Sequence, residues 1–239
     1  MVIDDNSPIS LALREGELTV TGRLVDASNA TLYGLMQHKE LEFAVIYKPV
    51  AGERPLWDFP DGTLADREYA AYLISESTQL NIVPRTLLRD GPFGIGMVQE
   101  WIDIDESVDL GSFFSRDLPG LRKMALFDAI TNNTDRKIGH ILPTRDGEIY
   151  GCDHGVTFHE EDKLRTVIWQ FSGLEFDEKE LTLLHGLQAS FNDNLGLELR
   201  KLISGSEFAA LTHRIDKLIT TQVFPSPSPD WPAIPWPAF

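Results

Sequence analysis

The stretch Asn132–Leu142, NNTDRKIGHIL, followed by Glu148–Phe158, EIYGCDHGVTF, decides how the rest of the chain is read. Asp135 sits in the first segment and Asp153 in the second, on either side of a short apolar turn-back. Ile141-Leu142 and Ile149-Tyr150 flank the turn dipeptide Asp146-Gly147, which predicts a β-hairpin. A hairpin of that size delivers both aspartates to one cleft. Phosphoryl transfer needs such a layout: one carboxylate orients the attacking hydroxyl, and the other holds the metal on the phosphates of ATP. Either aspartate alone reads as a solvated turn residue. The pair at this separation reads as the catalytic half of a kinase.

Working outward, Leu41–Tyr47 (LEFAVIY) is a strong strand candidate, and Lys48 at its end is placed to point into a cleft. A strand lysine that contacts ATP phosphates pairs with a helix glutamate. Glu68 is the candidate partner, on a helix predicted from an N-cap at Thr63, with Asp66 three residues on, to about Thr78. Its helical neighbours Leu64, Ala71 and Tyr72 are apolar enough that a carboxylate there calls for a counter-charge. The loop Ser28–Thr31, with Ser28 and Asn29, is a candidate cover for phosphates through hydroxyls and backbone N–H groups, although an ordinary turn has the same composition.

Lys137, two residues after Asp135, is placed to neutralise charge on a transferred phosphoryl group. His140 lies five residues after Asp135, where a kinase catalytic loop carries a metal-binding Asn. Magnesium prefers oxygen ligands. His140 is therefore a metal-ligand candidate favouring Mn²⁺, a residue behind the metal ligands, a sign that one metal is lost, or a packed structural histidine. Asp153 is the stronger metal-ligand candidate. Cys152 reads as a small buried hydrophobe, and Asn132 and Asn133 read as caps of the preceding helix.

Composition narrows the alternatives. With 42% hydrophobic and 24% charged residues the 239-residue chain is an ordinary globular protein with room for a substantial core. A formal net charge of -16 repels nucleic-acid backbones and anionic membrane surfaces, so neither is an expected partner. One cysteine excludes an internal disulfide and fits a cytoplasmic setting. No apolar run reaches the roughly 18 residues of a membrane span. The P-loop, GxGxxG and GxSxG signatures are all missing.

Strand candidates concentrate early, at Leu18–Gly22, Leu41–Tyr47 and Gly96–Ile102. Helix candidates follow, at Pro119–Ile130, Glu178–Leu187, Leu197–Ile203 and Glu207–Thr220. This predicts an α+β fold of two lobes, 17–102 rich in strands and 103–223 helical, with a ligand cleft between them. The tail 224–239 has six prolines together with Trp231, Trp236 and Phe239. Three large aromatics favour docking on the domain over a free polyproline segment or a partner ligand.

The order and spacing of Ile46–Thr86, NNTDRKIGHIL and CDHGVTF resemble the phosphatidylinositol 3-/4-kinase-like superfamily, over roughly Thr21–Trp169. The nearest likeness is to type II phosphatidylinositol 4-kinases and to a small actinobacterial kinase-like group, and a more distant one is to HipA-type protein kinases. The resemblance implies a two-lobed atypical kinase fold. It implies that Lys48 binds the α/β-phosphates with Glu68 as partner, that Asp135 is catalytic, and that Asp153 holds Mg²⁺ or Mn²⁺. It also implies a hinge at Val98–Ile102, where Gln99, Glu100 and Trp101 meet adenine. His140 departs from the pattern, and no cysteine-rich palmitoylation stretch is present.

The expected activity is transfer of the γ-phosphoryl group of ATP to a hydroxyl on a protein or a soluble small molecule. Two rivals remain: AMP transfer on a kinase fold, and a nucleotide-binding pseudokinase regulator. A scaffold that recruits partners through the proline-rich tail is a third, weaker reading.

Overall fold

The computed structural model describes residues 7–24, 30–60 and 62–239. Ser28 and Asn29 lie outside the described residues. An antiparallel sheet forms first, from β1 (Glu17–Arg23), β2 (Leu32–His38), β3 (Leu41–Pro49), β4 (Thr86–Gly91) and β5 (Gly94–Glu100). Its strand order is β1-β2-β3-β5-β4, so β3 lies at the centre with Lys48 opposite Met97 of β5. Tight turns set the register. Lys39-Glu40 joins His38 to Leu41, with Lys39 at φ 57, and Pro92-Phe93 joins Gly91 to Gly94.

A helix not anticipated from the sequence, α1 (Pro8–Glu15), covers one face of the sheet. Ser7 caps it by accepting from Ser10 N, and proline occupies its first turn, where no backbone donor is needed. Ala12 and Leu13 pack there with Leu18, Met36, Val45, Tyr47 and Val98 as a small core. The other face receives α2 (Leu64–Ser77), which runs from the Thr63 cap to Thr78, as its sequence signals indicated.

The second and larger core is helical. α3 (Leu110–Phe113), α4 (Pro119–Thr131), α5 (Glu178–Ser190), α6 (Asn194–Leu202) and α7 (Gly205–Thr221) enclose it, and α2 contributes Ala70, Ala71, Tyr72, Leu73 and Ile74 to the same cluster. Helix α2 thus belongs to both halves of the molecule. Its Arg67, 1% exposed, pairs with Glu207 of α7 at 2.5 Å. Between α4 and α5 lies the hairpin of β6 (Ile141–Pro143) and β7 (Ile149–Gly151), with Leu142 opposite Tyr150.

The proline-rich tail lies against the helical half. Ala233 O accepts from Thr166 N at 3.1 Å and from Trp169 Nε1 at 2.8 Å, and Ala238 O accepts from Ile138 N at 2.9 Å. The Trp231 ring stands 4.3 Å from Lys163 Nζ, which turns an aromatic liability into a cation–π contact.

Candidate active site

Strand alternation aims Lys48. Val45 and Tyr47 point into the small core, so Lys48, next along the strand, points the opposite way, toward α2. There Nζ meets Glu68 Oε1 at 2.7 Å and also binds the carboxylate of Asp153. Glu68 is 3% exposed, and its second oxygen accepts from His154 N at 2.9 Å. One buried glutamate therefore fastens β3 to the loop that follows β7.

Asp153 stands in the left-handed region at φ 58, which aspartate tolerates better than most residues. The charge of Lys48 holds its carboxyl well below the ordinary range, against the burial of the site and with help from His140. Burial opposes the charge on Lys48, but Asp153 and Glu68 outweigh it and hold its pKa above the usual lysine value. His140 Nε2 lies 3.3 Å from the other Asp153 oxygen. Burial pushes the His140 imidazole down to about 4, with Asp153 opposing and Arg136, Lys137 and Lys48 assisting. The neutral ring accepts from Lys137 N at Nδ1, 3.5 Å away, which leaves the proton on Nε2, the nitrogen that faces Asp153. In this geometry His140 orients Asp153.

Asp135 follows α4, which ends on Asn132 at φ 51. Asn133 then fixes the loop: its Oδ1 accepts from Asp135 N at 3.0 Å, while its Nδ2 donates to Asp128 at 3.0 Å. Both asparagines cap, as their sequence position suggested. Lys137 Nζ pairs with Asp135 at 3.3 Å. Burial raises the pKa of Asp135, Lys137 counters it, Asp153 adds to it and Arg165 opposes it. A carboxylate so placed is a stronger proton acceptor than a free one.

Beneath the two loops lies a residue whose burial the sequence did not reveal. Arg136, 0% exposed, grips Asp128 of α4 with Nε and Nη2 at 2.9–3.2 Å. It also donates to His140 O at 3.3 Å, to Cys152 O at 3.1 Å and to His154 Nε2 at 2.7 Å. Accepting from Arg136 requires neutral His154, and burial together with Arg136 pushes its pKa well down. Burial pushes the Cys152 thiol up to about 12, the inert state of a packed cysteine.

Lys48, Glu68, Asp135, Lys137, His140 and Asp153 all line one cavity of about 570 Å³, a size suited to small-molecule ligands. Thr31, the last residue of the loop read as a phosphate cover, lines it as well, and so do Glu53 and Phe239, which nothing in the sequence singled out for it. Glu53 caps α2, accepting from Leu64 N at 2.9 Å and Ala65 N at 2.8 Å. The segment Gln99–Trp101 stands apart from that cavity. Gln99 is buried and donates to Thr86 at 2.8 Å, and Glu100 pairs with Arg85 at 3.3 Å. Trp101 N donates to Ala44 O at 3.1 Å. Trp101 and residues 102–104 line a separate cavity of about 690 Å³ together with Tyr150.

Among the described residues no three His, Cys, Asp or Glu side chains form a ready metal cluster. Asp135 and Asp153 nevertheless suit Mg²⁺, which takes one or two protein carboxylates and completes its shell with phosphate oxygens and water. The donor set fits a metal that arrives with a nucleotide.

No family model matches the chain. Protein Rv2133c of Mycobacterium tuberculosis is 42% identical over 262 aligned positions, covering 95% of this chain and 94% of that protein. The chain belongs to the Rv2133c family. Among solved structures, the Golgi casein kinase superposes with a TM-score of 0.58 at 12% identity, over 91% of this chain and 74% of that one. The Helicobacter pylori proinflammatory kinase CtkA superposes with a TM-score of 0.50 at 13% identity, over 88% of this chain and 94% of that one. The fold is the two-lobed fold of atypical kinases. At these identities the likeness speaks to fold alone. Among the described residues no helix is long and apolar enough to cross a membrane.

Proposed function

We propose that the chain is an ATP-dependent phosphotransferase that moves the γ-phosphoryl group to a hydroxyl of a protein or soluble small molecule, on a site of the phosphatidylinositol 3-/4-kinase-like kind. One observation carries this reading: Lys48 bridges Glu68 and Asp153 across a cavity that Asp135 also lines. The motif order Lys48, Glu68, Asp135, Asp153 supports it.

In this reading Lys48 contacts the nucleotide phosphates, and Glu68 holds the lysine in place. The acceptor hydroxyl attacks the γ-phosphorus while its proton passes to Asp135. A new oxygen–phosphorus bond forms, the bond to the β–γ bridging oxygen breaks, and its electron pair leaves with ADP. Lys137 offsets charge on the transferred group. Asp153, oriented by His140, is the residue that would hold Mg²⁺ or Mn²⁺, whose role is to neutralise charge on the phosphate oxygens.

The test is the melting temperature with excess ATP in Mg²⁺ and in Mn²⁺, for wild type and Asp153→Asn. Ligand at about 100 times Kd adds roughly 2.7 kcal/mol, on the order of 5–10 °C for a chain of this size. A metal-dependent shift lost in Asp153→Asn is expected, and no shift in either metal would sink the reading. Intact mass of an acceptor then separates phosphoryl transfer from AMP transfer.

A further inference from the structure

Asp135 and Arg165 are far apart in the chain yet are held side by side by backbone hydrogen bonds. Arg165 N donates to Asn133 O at 2.9 Å, Arg136 N to Arg165 O at 3.1 Å and Val167 N to Arg136 O at 3.2 Å. The two segments run as a short parallel pair with Arg136 opposite Thr166. Arg136 and Thr166 both turn inward, to the carboxylate of Asp128. Side chains alternate along extended backbone, so Asp135, Lys137 and Arg165 share the opposite side. The 3.3 Å ion pair between Lys137 and Asp135 agrees with that placement.

Arg165 does not itself line the cavity that Asp135 lines, and unlike Lys48, Lys137 and Arg136 around it, it has no ion-paired carboxylate among the described residues. Lys48 has Glu68 and Asp153, Lys137 has Asp135, and Arg136 has Asp128. Arg165 Nε is buried without a hydrogen-bond partner. Among the described residues its side chain has no ion pair or ring contact. A buried unsatisfied donor is costly until something accepts from it.

We propose that Arg165 binds the acceptor, and that the acceptor is a small soluble hydroxyl compound carrying a phosphate or carboxylate of its own. This rests on the phosphotransfer reading of the same cleft. The planar guanidinium fork matches a two-oxygen anion. Holding that anion beside Asp135 sets the hydroxyl for attack at the γ-phosphorus, with its proton passing to Asp135 and the electron pair of the broken bond leaving with ADP. The net charge of -16 favours a free phosphate ester over the same group on an anionic membrane.

The test is calorimetric titration of the full chain with sn-glycerol 3-phosphate and with neutral glycerol, with saturating Mg·ADP and again without nucleotide. Wild type is expected to bind the phosphate ester at least about tenfold more tightly than glycerol. Arg165→Gln should abolish the preference and Arg165→Lys should keep part of it. No preference in wild type, or a preference intact in Arg165→Gln, overturns the proposal. Binding only to phosphatidylinositol vesicles in phosphatidylcholine overturns the soluble source. An ATP-induced melting shift without anion preference sinks this inference alone. Arg165-dependent anion binding without an ATP shift sinks the phosphotransfer reading and leaves the anion site.

Discussion

Two ion-pair networks hold the same cleft, Arg136–Asp128 from within and Lys48–Asp153 at its surface. Both members of the first are 0% exposed, whereas in the second Lys48 is 17% exposed and Asp153 49%. The buried pair is matched donor for acceptor: Asp128 also receives Asn133 and Thr166, and Arg136 also serves two carbonyls and His154. A buried ion pair repays its desolvation only under such full matching, and removing one partner is severe. The outer pair is only partly enclosed, so exchanging its partners costs less than in the buried pair. On the reading proposed above, framework and ligand response would therefore reside in different pairs within one site.

Breaking the inner network should produce the largest effect. Arg136→Met leaves Asp128 buried without its counter-charge and is expected to cost about 3–5 kcal/mol, a fall of roughly 10 °C in melting temperature. Acid should act next. His140 titrates at about 4 in the fold against an ordinary 6.5, so between those values the unfolded chain binds the extra proton. Stability is then lost as pH falls, by about 2 kcal/mol between pH 7 and pH 5 in metal-free buffer. His140→Gln should remove that share of the slope and leave the share of His154, which is also held neutral, and an unchanged slope would contradict the neutral His140 imidazole. The smallest effect belongs to Asp153→Asn, because Lys48 keeps Glu68 and asparagine tolerates the left-handed backbone. Its melting temperature without ligand should correspond to a change within about 1 kcal/mol of wild type. A loss as large as that of Arg136→Met would erase the distinction between the two networks.

Much of the fold was legible where local signals were strong. The Thr63 cap and Asp66 set the start of α2, and Asp146-Gly147 set the β6–β7 turn. Helix α1 was not recognised, although Ser7-Pro8 is a start signal, because its eight residues, amphipathic as they are, fall short of the span over which a helical period can be read. Strand β4, Thr-Leu-Leu-Arg-Asp-Gly, has no alternation to mark it. At the site, residue types and their order pointed to Lys48, Glu68, Asp135 and Asp153, which line one cavity. Arg136 stood in the same motif, yet nothing local says that an arginine is fully buried, a rare state that only a tertiary partner explains. Glu53 and Phe239 enter the cavity through an α2 cap and a docked tail, both long-range events. Arg165 depends on a parallel pairing with no sequence signature.

Helix α2 carries a consequence for control. Arg67 and Glu68 are consecutive on one turn, about 100° apart around the helix, and reach different elements, Arg67 to Glu207 of α7 and Glu68 to Lys48 of β3. Swinging Glu68 away from the lysine would drag Arg67 out of a pair that is almost fully enclosed. The helix is thus bolted at both sides, a strut and not a lever. The Lys48–Glu68 clamp is therefore set before any ligand arrives, and on the phosphotransfer reading proposed above the tap that meters turnover would lie with what enters the cleft.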